Sequence, residues 1–252
     1  MKEIAFDGKT AVITGAASGM GLLTSRELVR LGATVVMCDV DGAALEKAVD
    51  VVANGGRGKV LPLVVDVRRY ADAERAAALA LEKTDRIDLV IPFAGGYEPR
   101  MCNSPVPFYE QPVDVLDWGI DVNLKAQFYF AHAVMKVMRE QKSGLIVNIG
   151  SITGVEGDPR GMDYPTAKSG VMNGLTNSLA QYGAKYGVRC VCVSPGPVLT
   201  RPQMAKMQTL VGRAADPQEI VDFVLYIASD KGQFINGTNI MIDGGRSAMN
   251  RG

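Results

Sequence analysis

Tyr164 and Lys168 stand four residues apart in Tyr164-Pro165-Thr166-Ala167-Lys168. On a helix both side chains therefore share one face. Pro165 is tolerated only if that helix is just beginning, because proline suits a first turn and breaks an interior. The phenol then sits at the mouth of the helix, with the ammonium one turn further in. A cation close to a phenol favours the phenolate and lowers a pKa that starts near ~10. The result is a tyrosine able to exchange a proton near neutral pH. Many surface helices carry the same pair as a solvated face, so the rest of the chain has to decide between the two readings.

A second stretch binds rather than reacts. Gly15-Ala16-Ala17-Ser18-Gly19-Met20-Gly21 follows a short apolar run at residues 9–14 and precedes Leu22, Leu23, Leu28 and Leu31 at helical spacing, ended by Gly32. A glycine-rich turn between a strand and a helix lets backbone approach a pyrophosphate and offers it the free N–H groups of the helix start. The spacing Gly15-x-x-x-Gly19-x-Gly21 differs from the G-x-G-x-x-G dinucleotide fingerprint, and a tight structural turn would use the same glycines. Asp39, closing the next apolar run at residues 34–38, favours the binding role. An acid there accepts hydrogen bonds from an adenosine ribose and repels a 2′-phosphate. No Arg or Lys occupies the turn, and Ser18 stands where a phosphate-reading base could have been. The preference therefore reads as NAD over NADP. The alternative for Asp39 is a simple turn residue before Asp41-Gly42.

The elements that must position these residues alternate regularly. Helical patterns at 43–53 and 71–83 separate strands at 60–65, ending at Asp66, and at 87–93, opening into Ala94-Gly95-Gly96. Residues 97–112, with Pro99, Pro105, Pro107 and Pro112, read as an irregular loop. One helix carrying Asn123 and His132 is expected to run to about Gln141. A strand at 145–149 closes on Gly150-Ser151, and after the Tyr164 helix comes a strand at 188–193 with Pro195-Gly196-Pro197 behind it. A short methionine-bearing lid at 199–211, a helix at 216–228 and a last strand at 239–242 complete the chain. Apolar runs rather than alternating ones predict strands covered on both faces. The expected fold is α/β: one Rossmann-type, doubly wound, parallel seven-stranded sheet with helices on both faces. With no break in composition and no repeat, residues 1–252 read as one domain.

Bulk composition narrows the function. The chain has 252 residues, 47% hydrophobic and 21% charged, with Lys+Arg 27 balancing Asp+Glu 27. No whole-molecule field points to nucleic acid or an anionic membrane surface. The expectation is no nucleic-acid partner and no membrane span. The cysteines Cys38, Cys102, Cys190 and Cys192 form no C-x-x-C pair, and His132 is the single histidine, so no metal site is expected. Cys38, Cys190 and Cys192 lie in strand-like runs and read as buried free thiols. The N-terminus shows no signal-peptide pattern, and a reducing cytoplasm is the expected location.

Taken in order, Thr14-Gly15-x-x-x-Gly19-x-Gly21, Ser151, Tyr164-x-x-x-Lys168 and Pro195-Gly196 resemble the short-chain dehydrogenase/reductase family, and its compact single-domain branch in particular. The likeness runs from Lys9 to Gly245, and Ser151 precedes Tyr164 at the separation the family uses. The resemblance implies Tyr164 as acid/base, Lys168 lowering its pKa while holding the nicotinamide ribose, and Ser151 donating to the substrate oxygen. It implies that Asn123 supports a proton-relay water. Gly15, Ser18, Gly19, Met20, Gly21 and Asp39 would hold the cofactor, Asp66 and Val67 would lie by the adenine, and Ala94 and Gly95 would face the adenosine ribose. Pro195, Gly196, Val198 and Thr200 would meet the nicotinamide end. Asp243-Gly244-Gly245 matches the family's usual ending. Where the family commonly has Asn-Asn-Ala-Gly after the fourth strand, this chain has Pro92-Phe93-Ala94-Gly95, which removes amides that usually tie neighbouring strands together.

The activity so implied is hydride transfer between NAD and a secondary alcohol or its ketone. Two other functions compete: an NADPH-dependent ketoacyl-type reductase, and a catalytically silent NAD-binding sensor or scaffold on the same fold. Asp39 argues against the first, and the complete set Asn123, Ser151, Tyr164 and Lys168 against the second. The family usually assembles as tetramers or dimers, and Ala167, Gly170 and Gly174 suit a close helix contact in a homo-oligomer. His132 reads as a packing or interface residue among Phe128, Tyr129, Phe130 and Val134. Met204 and Met207 serve either a pliable lid or ordinary packing. Arg100, Arg160 and Arg201 would suit an anionic substrate, while Glu156 and Asp158 in the same region pull the other way.

Overall fold

Short apolar strands that alternate with helices pair in parallel, because each return crossover is itself a helix. In the computed structural model, which describes residues 4–97, 101–103 and 106–249, seven strands form one sheet in the order β3-β2-β1-β4-β5-β6-β7. They are β1 (Thr10–Thr14), β2 (Thr34–Asp39), β3 (Lys59–Val64), β4 (Leu89–Pro92), β5 (Gly144–Ile149), β6 (Val188–Pro195) and β7 (Asn239–Ile242). Every pairing is parallel, and the fold is of the Rossmann type. Strand order reverses between β1 and β4, which opens a crevice beyond their carboxyl ends, where doubly wound sheets take ligands.

Among the described residues the helices include α1 (Gly19–Arg30), α2 (Gly42–Ala53), α3 (Tyr70–Thr84), α4 (Val113–Ile120), α5 (Ala126–Gln141), α6 (Thr153–Glu156), α7 (Asp163–Gly170), α8 (Thr176–Ala184) and α9 (Pro217–Ala228). Alternate side chains of each strand feed two cores. Ile13, Met37 and Val193 meet Leu28, Leu45 and Ile220 on one face. Val12, Val36 and Ile146 meet Ala76, Phe130 and Val134 on the other. All five residues of β1 are buried. The edge strands depart from the expectation of cover on both faces: β3 alternates between exposed and half-buried residues and β7 is half-buried throughout. Each has a neighbour on one side only. Pro62 withholds an N–H from the β3 edge and blunts it against pairing with another chain.

The helix expected to carry Asn123 and His132 to about Gln141 starts at Val113 and is continuous but not uniform. A π-helical turn at Asp121–Lys125 separates α4 from α5, and another at Val171–Leu175 separates α7 from α8. Such single turns often occur at functional sites, and the first carries Asn123. In the loop at 97–112 the described residues include a 3-10 turn at Phe108–Glu110, whereas Pro99, Arg100 and Pro105 lie outside the described residues. Cys38, Cys190 and Cys192 are free and buried, and burial holds their thiols protonated, that of Cys192 pushed up to about 11. No helix among the described residues is long and apolar enough to cross a membrane.

A largely buried ion pair locks the C-terminal turn to α6. Arg246 Nε lies 2.8 Å from Glu156 Oε1, with side-chain exposures of 23% and 8%, and Arg246 Nη1 donates to Gln208 O at 2.9 Å. Removing one partner strands the other charge in a poorly hydrated site, which costs about 3 kcal/mol. Arg246→Met should accordingly lower Tm by roughly 6–12 °C in a calorimetric scan. An unchanged Tm would show that the pair contributes nothing net.

Candidate active site

Three segments meet at the carboxyl ends of β1, β4 and β5. The first is the glycine turn. Gly15 and Gly19 have φ of 63° and 55°, values that a side chain disfavours. A Cβ on Gly15 would stand 2.8 Å from Ala94 N, and one on Gly21 would collide with Gly15 O. The turn thus rests directly on the end of β4. Ser18 caps α1 in an extended conformation without a side-chain bond, and the first turn carries no acid. The leading N–H groups are left for an anion, and the cradle fits a dinucleotide pyrophosphate. Asp39 accepts from Ala17 N at 3.0 Å and from Asp41 N at 3.1 Å, so it braces the turn, and each oxygen keeps a lone pair for a ribose. We expect Gly21→Ala to weaken NAD binding at least about tenfold, roughly 1.4 kcal/mol or more, as read by isothermal titration. Unchanged affinity would remove the turn from the binding site.

The second segment holds the candidate catalytic residues. Lys168 is 3% exposed; its Nζ donates to Ile149 O at 2.9 Å and lies 5.6 Å from the centre of the Tyr164 ring. Burial lowers this lysine to about 8, so it is still mainly charged at neutral pH. Asn123 Oδ1 accepts from Gly96 N at 3.0 Å, and Nδ2 donates to Gly96 O and Gly119 O, both at 2.9 Å. A Cβ on Gly95 would fall 2.7 Å from Asn123 Oδ1 and 3.6 Å from Lys168 Nζ. Only a glycine lets these three meet. Ser151 Oγ accepts from Thr153 N at 3.2 Å and Thr153 Oγ1 at 2.8 Å, which leaves its own proton for a substrate oxygen. A Cβ on Gly154 would come 2.9 Å from Ser169 N, so α6 presses on α7 and carries Ser151 toward the Tyr164 helix.

The third segment follows β6. Pro195 O accepts from Ile152 N and Gly196 N donates to Ile242 O, both at 2.9 Å. Gly196 has no room for a side chain against Asp243. Val198 bridges to Ala215, and Thr200 lies over the glycine turn, its Cγ2 3.9 Å from a Cβ built on Gly19. The methionine-bearing segment thus starts above that turn, continues as a 3-10 turn at Pro202–Lys206, and leaves Met204 and Met207 half-buried.

Other candidates divide. Val67 is buried, while Asp66 is gripped by Arg68, whose Nη2 lies 2.6 Å from Oδ2, and that bond lowers its carboxyl below the usual range. Ala94 N donates to Thr14 Oγ1 at 3.1 Å, a tie between β4 and β1 where the family uses asparagine, and Phe93 packs against the core. Arg160 pairs with Asp158 at 3.1 Å and Glu156 with Arg246, so those flanking charges compensate one another. His132 is exposed, its Nδ1 2.7 Å from the Tyr70 hydroxyl. Tyr97 packs edge-on to Tyr164 with ring centres 6.1 Å apart. Thr14 and Thr153 were not singled out from the sequence, and the signal each carried was adjacency, to the glycine turn and to Ser151.

A family model described as short chain dehydrogenase matches residues 9–210. Among curated proteins, a 3-oxoacyl-(acyl-carrier-protein) reductase of Thermotoga maritima is 33% identical over 95% of this chain and 98% of its own. A trans-4-hydroxycyclohexanecarboxylate dehydrogenase of Sinomonas cyclohexanicum is 34% identical over 96% of this chain and 94% of its own. Among solved structures, levodione reductase superposes with a TM-score of 0.89 at 29% identity, covering 97% of this chain and 100% of that one.

Proposed function

The chain belongs to the short-chain dehydrogenase/reductase family of nicotinamide-dependent oxidoreductases, and from that membership we propose that it is an NAD-dependent dehydrogenase of secondary alcohols, working reversibly on the ketone. The observation that carries the reading is that Lys168 Nζ and Asn123 Oδ1 both flank the Cβ position of Gly95, with the Tyr164 ring centre 5.6 Å from Lys168 Nζ. When bound, a nicotinamide supplies the acceptor or donor of hydride at the carbinol carbon. Gly15, Ser18, Gly19, Met20 and Gly21 would hold its pyrophosphate, Asp39 and Ala94 the adenosine ribose, Asp66 and Val67 the adenine, and Pro195, Gly196, Val198 and Thr200 the carboxamide end.

The protein's own part is proton management. Tyr164 as phenolate takes the hydroxyl proton in oxidation, and as phenol returns it in reduction. Lys168 supplies the positive charge that favours the phenolate. Ser151, its oxygen held by Thr153, donates to the substrate oxygen as charge develops there. Asn123 fixes Gly96 and thereby the wall that carries Tyr97. We read the whole chain as one domain, assembled as a dimer or tetramer in a reducing cytoplasm, where its buried thiols stay free.

A second reading, an NADPH-dependent ketoacyl-type reductase, is favoured by the Thermotoga relative and opposed by Asp39 and the absence of a basic residue in the turn. The deciding experiment is turnover with NAD and NADP against secondary alcohols, including ring alcohols such as the one in the Sinomonas relative's name, and ketoacyl thioesters. NADH formation with an alcohol supports the first reading. Oxidation confined to NADPH with thioesters supports the second, and no turnover with either would leave a silent binding protein.

A further inference from the structure

The β4–β5 ladder stops at Val90↔Ile146, so the last residue of β5, Ile149, has no strand partner on the β4 side. On the other side Gly150 N is bonded to Val193 O of β6. A buried backbone N–H or C=O left unmet costs about 1–3 kcal/mol. The Gln127 side chain meets both groups of Ile149: Oε1 accepts from Ile149 N, and Nε2 donates to Ile149 O, each at 2.9 Å. The second N–H of the same amide donates to Asn123 O at 3.1 Å, one turn back and inside the π turn. Gln127 is 0% exposed. A buried amide with all its donors committed is held in one orientation.

Ile149 O also accepts from Lys168 Nζ at 2.9 Å. A carbonyl oxygen has two lone pairs. With Gln127 on one, the ammonium is confined to the other. Lys168 and Asn123 are therefore linked twice, both flanking the Cβ position of Gly95 in front and both tied to Gln127 behind, Lys168 through the shared Ile149 carbonyl. We propose that Gln127 is a positioning residue of the proton-transferring unit, acting on Lys168 through the Ile149 carbonyl and on Asn123 through the carbonyl at the π turn. The proposal deepens the dehydrogenase reading and rests on it.

Two variants test it. Gln127→Glu keeps the shape, removes both donors and sets a carboxylate near the ammonium; Gln127→Met removes the bonds without adding charge. Among the described residues the titratable groups facing Lys168 are Tyr164 on its own helix and the Cys192 thiol from β6. In Gln127→Glu the NMR titration midpoint of Lys168 should rise by about one pH unit or more, and the alkaline limb of kcat/KM for alcohol oxidation should move upward with it. In Gln127→Met, kcat should fall at least about tenfold with KM for the alcohol within about twofold, and the Lys168 midpoint should not rise. Unchanged midpoints together with wild-type kcat in both variants would overturn the proposal. If Gln127→Met fails to fold, the isosteric Gln127→Glu decides alone. Absence of turnover in the unmodified protein would sink the dehydrogenase reading only, and the Lys168 titration would still decide whether Gln127 controls that residue.

Discussion

Tyr164→Phe is expected to leave NAD affinity within about twofold and to lower kcat by about a thousandfold, within the range usual for loss of a general acid/base. The ring is retained, so its edge contact with Tyr97 and its place beneath Lys168 survive. Only the hydroxyl, and with it the exchangeable proton, is lost. Binding is measured by nicotinamide fluorescence and turnover by absorbance of the reduced cofactor. Near-normal turnover would mean that another group handles the proton and would sink the assignment. The pH dependence of the wild-type enzyme carries a related sign. Oxidation needs the phenolate and the charged ammonium together, so the rate should climb as Tyr164 loses its proton. It should fall again once the free enzyme passes the Lys168 value near 8, because a neutral lysine no longer supports the phenolate.

The second large effect concerns Asp39. Asp39→Ala removes a charged acceptor worth about 1.5–3 kcal/mol to a bound ribose and relieves repulsion of a 2′-phosphate. The ratio of kcat/KM for NAD over NADP should fall by roughly ten- to a hundredfold. Because Asp39 also braces Ala17 and Asp41, the alanine variant loses part of the turn as well. Asp39→Asn keeps an acceptor for that brace and removes the charge. If the asparagine variant also shifts toward NADP, charge is the cause. A ratio unmoved in both variants would falsify a cofactor-reading role and leave Asp39 as a turn residue.

The sequence by itself determined what depends on neighbours a few residues away. Apolar runs alternating with helical spacing dictated parallel strands and crossover helices, and the short links between them allowed one doubly wound sheet. The Gly15–Gly21 turn and the four-residue step from Tyr164 to Lys168 were legible for the same reason: backbone freedom and one turn of helix are local quantities. The tertiary structure decided whatever needed partners far apart in the chain. The π turn that sets Asn123 leaves no mark in apolar periodicity, since the helix faces the same core on either side of it. Gln127 looked like an ordinary helical residue until the splaying of β4 from β5 left Ile149 in need of an amide. Arg160 could have recognised a substrate anion, and only folding spent it on Asp158. Residue types disclosed the chemistry available to the chain; the pairing of buried donors and acceptors across the sheet decided which residues were free to perform it.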